Sequence, residues 1–176
     1  GRLAGALDAS VIASSAAVET PLGVPGLTGV VSARKGYFDF VLPRRVRDTA
    51  VPRYDDHLVK VAWDSPAGRW TAETFGARDD AAADVRHPSD PTLAGRYTWA
   101  HAYRVGALLW ERPWGTWTWS AAMAGHRSSS AIHLAEDYFY ETRPEEFFAR
   151  GGARVAVGRS LNQYRIGTVP YTTVVQ

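Results

Sequence analysis

"GALLWERPWGTWTWSAAMAGHRSSSAIHLAED" (residues 106–137) holds four of the chain's seven tryptophans, and the reading of this stretch decides the reading of the whole. Side chains alternate along a strand, so "GTWTWSAAM" places Trp117 and Trp119 on one face and Thr118 on the other. "AGHRSS" has the composition of a turn. "SAIHLAED" then returns as a second strand carrying His133, so the stretch predicts a hairpin.

Working outward, "YTWAHAYRVGALLW" upstream is a strand or a short helix, and periodicity alone does not choose between them. Downstream, "RPEEFFARGG" has the marks of a short helix. Arg143 and Pro144 stand at its start, Glu145 and Glu146 lie where the helix dipole favours acids, and Gly151 and Gly152 act as a stop. "ARVAV" follows as a strand. "HLVKVAWDSPAGRWTAETF" predicts a hairpin around Ser65, Pro66, Ala67 and Gly68, and "VVSARKGYFDFVL" a strand. "RDDAAADVRHPSDPTLAG" (78–95) reads as a polar loop with at most a helical turn. "LAGALDASVIASSAAVE" (3–19) reads as a weak helix or flexible arm, and "TPLGVPGLTG" (20–29) as turn-rich punctuation. The expected organisation is an arm over 1–29 and one β-rich domain over 30–176. The fold class is α+β, mainly antiparallel β with one or two short helices.

Composition narrows the function classes. The chain has 176 residues, 45% of them hydrophobic, enough for one folded domain. Lys and Arg outnumber Asp and Glu by only 20 to 18, which is a near balance and gives nucleic-acid binding only modest support. Only Lys35 and Lys60 are lysines, a bias that reflects a GC-rich genome as much as any chemistry. There is no cysteine, so disulfides, thiolate metal sites and Cys nucleophiles are excluded. No apolar run approaches the roughly 20 residues a helix needs to cross a bilayer, and the N-terminus lacks the layout of a signal peptide. This reads as a soluble chain with no membrane span. Gly at the first position and "TTVVQ" at the last match the products of a protease cutting between Gln and Gly, as in a polyprotein. A boundary or tag remnant left by expression gives the same ends.

The order "GALL" (Gly106–Leu109), "ERPWG" (Glu111–Gly115), "TW" (Thr118, Trp119), "AIHLA" (Ala131–Ala135) and "FFARGGARVAV" (Phe147–Val157) resembles the lecithin retinol acyltransferase-like, or H-box/NC, family. That family includes small phospholipase/acyltransferases and non-protease proteins encoded by some picornaviruses. The resemblance spans residues 106–157 and implies the order strand, strand, strand, helix, strand. Its motif positions fall on Thr118, Trp119, His133, Phe147, Gly151 and Gly152. In the family a His of the His-Trp pair is the base for a Cys nucleophile, an arrangement in which an adjacent base activates a thiol. Here Thr118 takes the His position, and Gln163 follows Asn162 where a Cys would stand. The resemblance therefore implies a scaffold without its catalyst, kept for contacts.

Other chemistry is thinly supplied. The histidines at 57, 87, 101, 126 and 133 show no helical metal-ligand spacing. Asp55, Asp56 and His57 form either an acid/base or metal cluster or a solvated loop entering a strand. Glu136, Asp137, Glu141, Glu145 and Glu146 can supply a carboxylate pair for hydrolysis, or a surface turn and helix start. His126 stands near Ser128, Ser129 and Ser130 without a nucleophile elbow. No phosphate-binding glycine motif is present. The tryptophans either fill a core or line a binding surface, where Trp and Arg are enriched. The expectation is a non-enzymatic protein with no catalytic residue, cofactor or metal, acting by binding a host or viral protein in the host cytoplasm. Trp114, Trp117, Trp119 and His133 form its surface, and RNA is a lesser partner through Arg44, Arg45 and Arg47 of "LPRRVRD" (Leu42–Asp48). Alternatives are a capsid subunit with a β-barrel fold, and a secreted or bacterial β-barrel that binds or cyclises an apolar small molecule.

Overall fold

The computed structural model describes residues 2–37, 51–85, 94–134, 138–157, 160–167 and 171–173, and every regular element among them is a β-strand. The strands are β1 (Ala4–Ala9), β2 (Ala13–Pro21), β3 (Leu27–Gly36), β4 (Val51–Ser65), β5 (Gly68–Val85), β6 (Gly95–Trp114), β7 (Trp117–Leu134), β8 (Tyr138–Thr142), β9 (Glu145–Val157), β10 (Ser160–Gly167) and β11 (Tyr171–Thr173). All belong to one antiparallel sheet; from β1 to β8, and again from β9 to β10, sequence neighbours pair, so the chain meanders up and down, and β11 returns to pair with β9. β8 and β9 both pair with β7, at residues 130–134 and 117–127, and together run as one interrupted strand. The interruption is at Pro144, which has no N–H for the ladder. Its carbonyl oxygen still accepts from the Ser128 amide at 3.0 Å.

Several expectations are corrected. The fold is all-β, not α+β: residues 145–152 of the expected helix are part of β9, which continues through the expected strand at 153–157. The helix cues there are local, whereas β9 is held by eleven paired positions against β7, among them Ala121↔Gly151 and Gly125↔Phe147. Residues 4–9 and 13–21 are strands of the same sheet, not a helix or loose arm. "AGHRSS" is not a turn, because β7 runs through it unbroken. Eighteen consecutive pairings with β6 override the turn preference of its Gly and Ser. Residues 78–85 of the expected loop continue β5, and 95–114 is a strand without a helical portion. The hairpin at Ser65–Gly68 is present, closed by Ser65 pairing with Gly68.

The links differ at the two ends of the sheet. At one end, two residues join β4 to β5 and β6 to β7, and five join β2 to β3. At the other, 14 residues separate β3 from β4 and nine separate β5 from β6, while three separate β1 from β2 and three separate β7 from β8. The short turns are well built. Ser65 Oγ donates to the Gly68 carbonyl at 2.8 Å and accepts from the Ala67 amide at 3.2 Å, while Trp110 Nε1 donates to the Ala67 carbonyl at 3.0 Å. Gly68 has φ 120°, and a Cβ there would lie 2.6 Å from the Glu111 carbonyl oxygen, so both backbone and space demand glycine.

The sheet has almost no core. Among the described residues only Ala62, Ala124 and Ser128 have buried side chains. The accessible surface is 13189 Å², against about 8,500 Å² expected for a compact protein of this mass. β5, β6 and β7 have 18, 20 and 18 residues, about three to four times the commonest strand length. Nothing among the described residues packs against either side of this long single layer, so its two faces carry its chemistry.

Candidate functional site

Register places each side chain on a face. Cross-strand partners share a face and alternate residues along a strand change face, so the pairings can be followed as rows. One row runs Leu27, Trp63, Trp70, Trp110, Ala121, Gly151. The next, away from the short turns, runs Thr20, Gly29, Val61, Ala72, Leu108, Met123, Ala149. The third runs Val18, Val31, Val59, Thr74, Gly106, Gly125, Phe147. Toward the turns the same face carries Trp119 opposite Arg112 and Ala153, then Trp117 opposite Trp114 and Val155. Trp70 and Trp110 have ring centroids 6.1 Å apart, and Trp117 and Trp119 stack at 6.2 Å. These apolar side chains are open to the surroundings: Trp70 is 37% exposed, Trp119 43%, Met123 48% and Val31 55%.

Across this band, Arg112, beside the tryptophans, is the one charged residue on the face among the described residues. Beyond it, away from the short turns, charge begins abruptly. The fourth row runs Ala33, His57, Gly76, Arg104, Arg127, Glu145, and the fifth Lys35, Asp55, Arg78, Ala102, Ser129. The face thus reads as a tryptophan border, an uncharged band and a charged border.

The opposite face is mixed: Leu58, Phe75 and Val105 pair in one row and Ala107, Ala124 and Phe148 in the next, but it also carries charge. Cross-strand ion pairs run across it: Arg34–Asp56 at 2.7 Å, Lys60–Glu73 at 3.8 Å, Asp64–Arg69 at 3.7 Å and Glu111–Arg154 at 3.4 Å. The hydrogen bond that Arg34 donates to Asp56, and then the charge of Asp56, hold the Arg34 guanidinium above its ordinary pKa. Around Arg69, Glu111, Ser120, Arg150 and Arg154 lies a polar hollow of about 330 Å³. Ala62, Ala124 and Ser128, the buried side chains, are all on this side.

The expected site residues are only partly brought together. Trp114, Trp117 and Trp119 do share a face, with Thr118 opposite. His133 does not join them. It lies fifteen positions along β7 from Thr118, roughly 50 Å in a strand, where its ring packs 4.5 Å from that of Phe139. Phe147 and Gly151 share the tryptophan face, and Gly152 points to the polar one beside Ser120. Asp55 and His57 lie on the charged border, with Asp56 on the opposite face bound to Arg34, so the three do not converge. Glu141 and Glu145 pair with Arg143 and Arg127, both at 2.5 Å. His126 and Ser128 share the polar face with Ser130, away from Ser129. Among the described residues no three metal-binding side chains cluster. Arg44, Arg45 and Arg47, with the rest of "LPRRVRD", and His87, Glu136 and Asp137 lie outside the described residues, as do both chain ends. Of Asn162 and Gln163 only the backbone, in β10, is described.

Sequence reasoning missed Trp63, Trp70, Val31, Val59, Val61, Leu108 and Met123 as members of one surface. Their signal was present as alternation within each strand, but a common face across six strands depends on register. No protein-family model, curated protein or solved structure matches the chain. No helix among the described residues is long and apolar enough to cross a membrane.

Proposed function

We propose that this sheet is the wall of a transmembrane β-barrel, with the tryptophan-bordered face on lipid and the ion-paired face lining an aqueous interior. The observation that carries the reading is the uncharged band. Together with its tryptophan border it spans Trp117 to Gly125 on β7 and Phe147 to Val155 on β9, nine residues each, with Arg112 in the Trp119 row as its one charge among the described residues. A transmembrane strand needs about 9–11 residues. Nine residues tilted by about 40° cover roughly 20–25 Å, close to the apolar height of outer-membrane barrels.

Four further features agree. A lipid-facing strand needs apolar residues only at alternate positions, so apolar runs are absent even where the wall is continuous. Tryptophan favours the interface, where its ring is half in hydrocarbon and its N–H can find an acceptor; Trp110 donates to the turn carbonyl of Ala67. The two longest links, of 14 and nine residues, leave from the same end, in keeping with the unequal ends of such barrels. The three buried side chains among the described residues, Ala62, Ala124 and Ser128, are on the ion-paired side, away from the tryptophans. In lipid every backbone group must be paired, so the outer edges of β1 and β10 must be closed by each other or by further strands. The protein is then a pore-forming or anchoring barrel wall with a polar interior.

Reconstitution into phosphatidylcholine vesicles, with and without lipids brominated along the acyl chain, tests the proposal through tryptophan emission. The expected result is strong quenching, because six of the seven tryptophans share the lipid face and only Trp99 lies opposite. Emission unaffected by bromination, in a protein that stays monomeric in buffer, would overturn it. The exposed tryptophan surface would then belong to a soluble partner protein, as the sequence reading expects.

A further inference from the structure

We infer that Arg104 and Arg127 hold the phosphate of an anionic lipid headgroup, and that one acyl chain of that lipid lies over Gly106 and Gly125. The inference rests on the membrane-wall reading and specifies what meets the wall at its charged border.

Arg104 and Arg127 are direct cross-strand partners on the lipid-facing side. Like charges placed so repel, and the arrangement asks for an anion. Glu145 lies 2.5 Å from Arg127 and answers part of that charge. Arg104 has no such neighbour: among the described residues it forms no ion pair, and its partner on the other side is Gly76. A Cβ at Gly76 would lie 2.9 Å from the Tyr103 carbonyl oxygen and 3.0 Å from the His57 ring. Any larger residue there would crowd the imidazole that borders Arg104, so the space beside the guanidinium stays open.

Directly below, toward the tryptophan border, the floor is bare backbone. Gly106 and Gly125 are paired, with no heavy atom within 4 Å of a Cβ built at Gly106 and the nearest to Gly125 at 4.0 Å. Phe147 bounds this strip on one side and Thr74 on the other. The whole forms an open depression of about 1020 Å³ that also takes in His57 and Arg78. Its upper rim carries Arg78, Arg104 and Arg127 with the carboxylates Asp55 and Glu145 beside Arg78 and Arg127, which leaves Arg104 as the rim's unanswered charge; its floor is uncharged, and the two meet at the level where headgroups meet hydrocarbon. Guanidinium forks suit phosphate oxygens, and a glycine floor admits a chain that side chains would push away. A free phosphate would use the rim alone, whereas a lipid uses both.

The test is lipid retention by the reconstituted protein, read by native mass spectrometry after extraction from vesicles of phosphatidylcholine and phosphatidylglycerol in equal amounts. The wild-type chain should retain phosphatidylglycerol in preference to phosphatidylcholine, and Arg104→Ala should reduce that preference about fivefold, the equivalent of about 1 kcal/mol per basic side chain at an anionic surface. Arg104→Lys should keep part of it. Gly106→Leu, which leaves the charges in place, should also weaken retention. Arg69→Ala, on the opposite face, should not. Equal retention of both lipids, or an unchanged preference in Arg104→Ala, would overturn the inference. So would displacement of the lipid by millimolar inorganic phosphate, which would make the rim a site for free anions. Failure here with intact quenching by brominated phosphatidylcholine sinks the headgroup site alone; loss of both removes the wall reading with it.

Discussion

Met123 and Ala122 are neighbours in β7 and face opposite ways, Met123 into the uncharged band and Ala122 to the polar side. Arginine at Met123 would sit on the lipid face near mid-height, where the cost in outer-membrane barrels is about 2–4 kcal/mol. Met123→Arg is expected to lower the stability of the vesicle-inserted protein by that amount in a urea titration, and Ala122→Arg by much less. Equal losses would mean that both faces meet the same medium. Glycine supplies a second residue-scale contrast. Gly23 has φ 77° and no heavy atom within 4 Å of a built Cβ, so Gly23→Ala meets only the left-handed backbone penalty of about 1–2 kcal/mol. Gly68 combines φ 120° with a 2.6 Å approach to the Glu111 carbonyl oxygen, and Gly68→Ala should cost more. The same titration orders the two.

At the scale of elements, the β6–β7 hairpin is the spine of the sheet. It is joined by a two-residue turn at Gly115, where φ is 61°, and held by eighteen pairings. Such a local pairing needs only a small loop closure and is expected to form early. β1, by contrast, pairs along six positions with β2 alone among the described residues. Hydrogen exchange should therefore find the amides of Ala107–Leu109 and Ala121–Ala124 the slowest in the protein and those of β1 fast. Uniform protection would contradict this graded picture. β8 and β9 illustrate the other lesson of this scale. The Glu-Glu start and Gly-Gly end of residues 145–152 satisfy local helix rules, yet β7 offers a ladder that a helix cannot use.

At the scale of the whole molecule, the absence of a core makes stability depend on the surroundings. An apolar face six strands wide exceeds the few hundred Å² that a soluble monomer exposes. Dilution from detergent micelles into buffer should drive the chain into aggregates that sediment, and re-addition of micelles before the transfer should prevent this. A monodisperse monomer in buffer, seen by analytical ultracentrifugation, would argue that the face folds against another part of a protein.

Some of this was fixed by the sequence alone. The alternation in "GTWTWSAAM" separates Trp117 and Trp119 from Thr118, and Ser65–Gly68 makes a hairpin turn, because strand period and turn chemistry are local. The absence of cysteine excludes thiol chemistry in any fold. Register was decided only by the tertiary structure. It lines up Trp63, Trp70 and Trp110 from three strands, sets the uncharged band against the ion-paired face, and draws 145–152 out of a helix into the sheet. It also keeps His133 away from the tryptophans, the last of which precedes it by fourteen residues in the same strand. The physical reason is that a strand's faces are written in its own residues, but which faces join, and at what height, depends on partners up to tens of residues away.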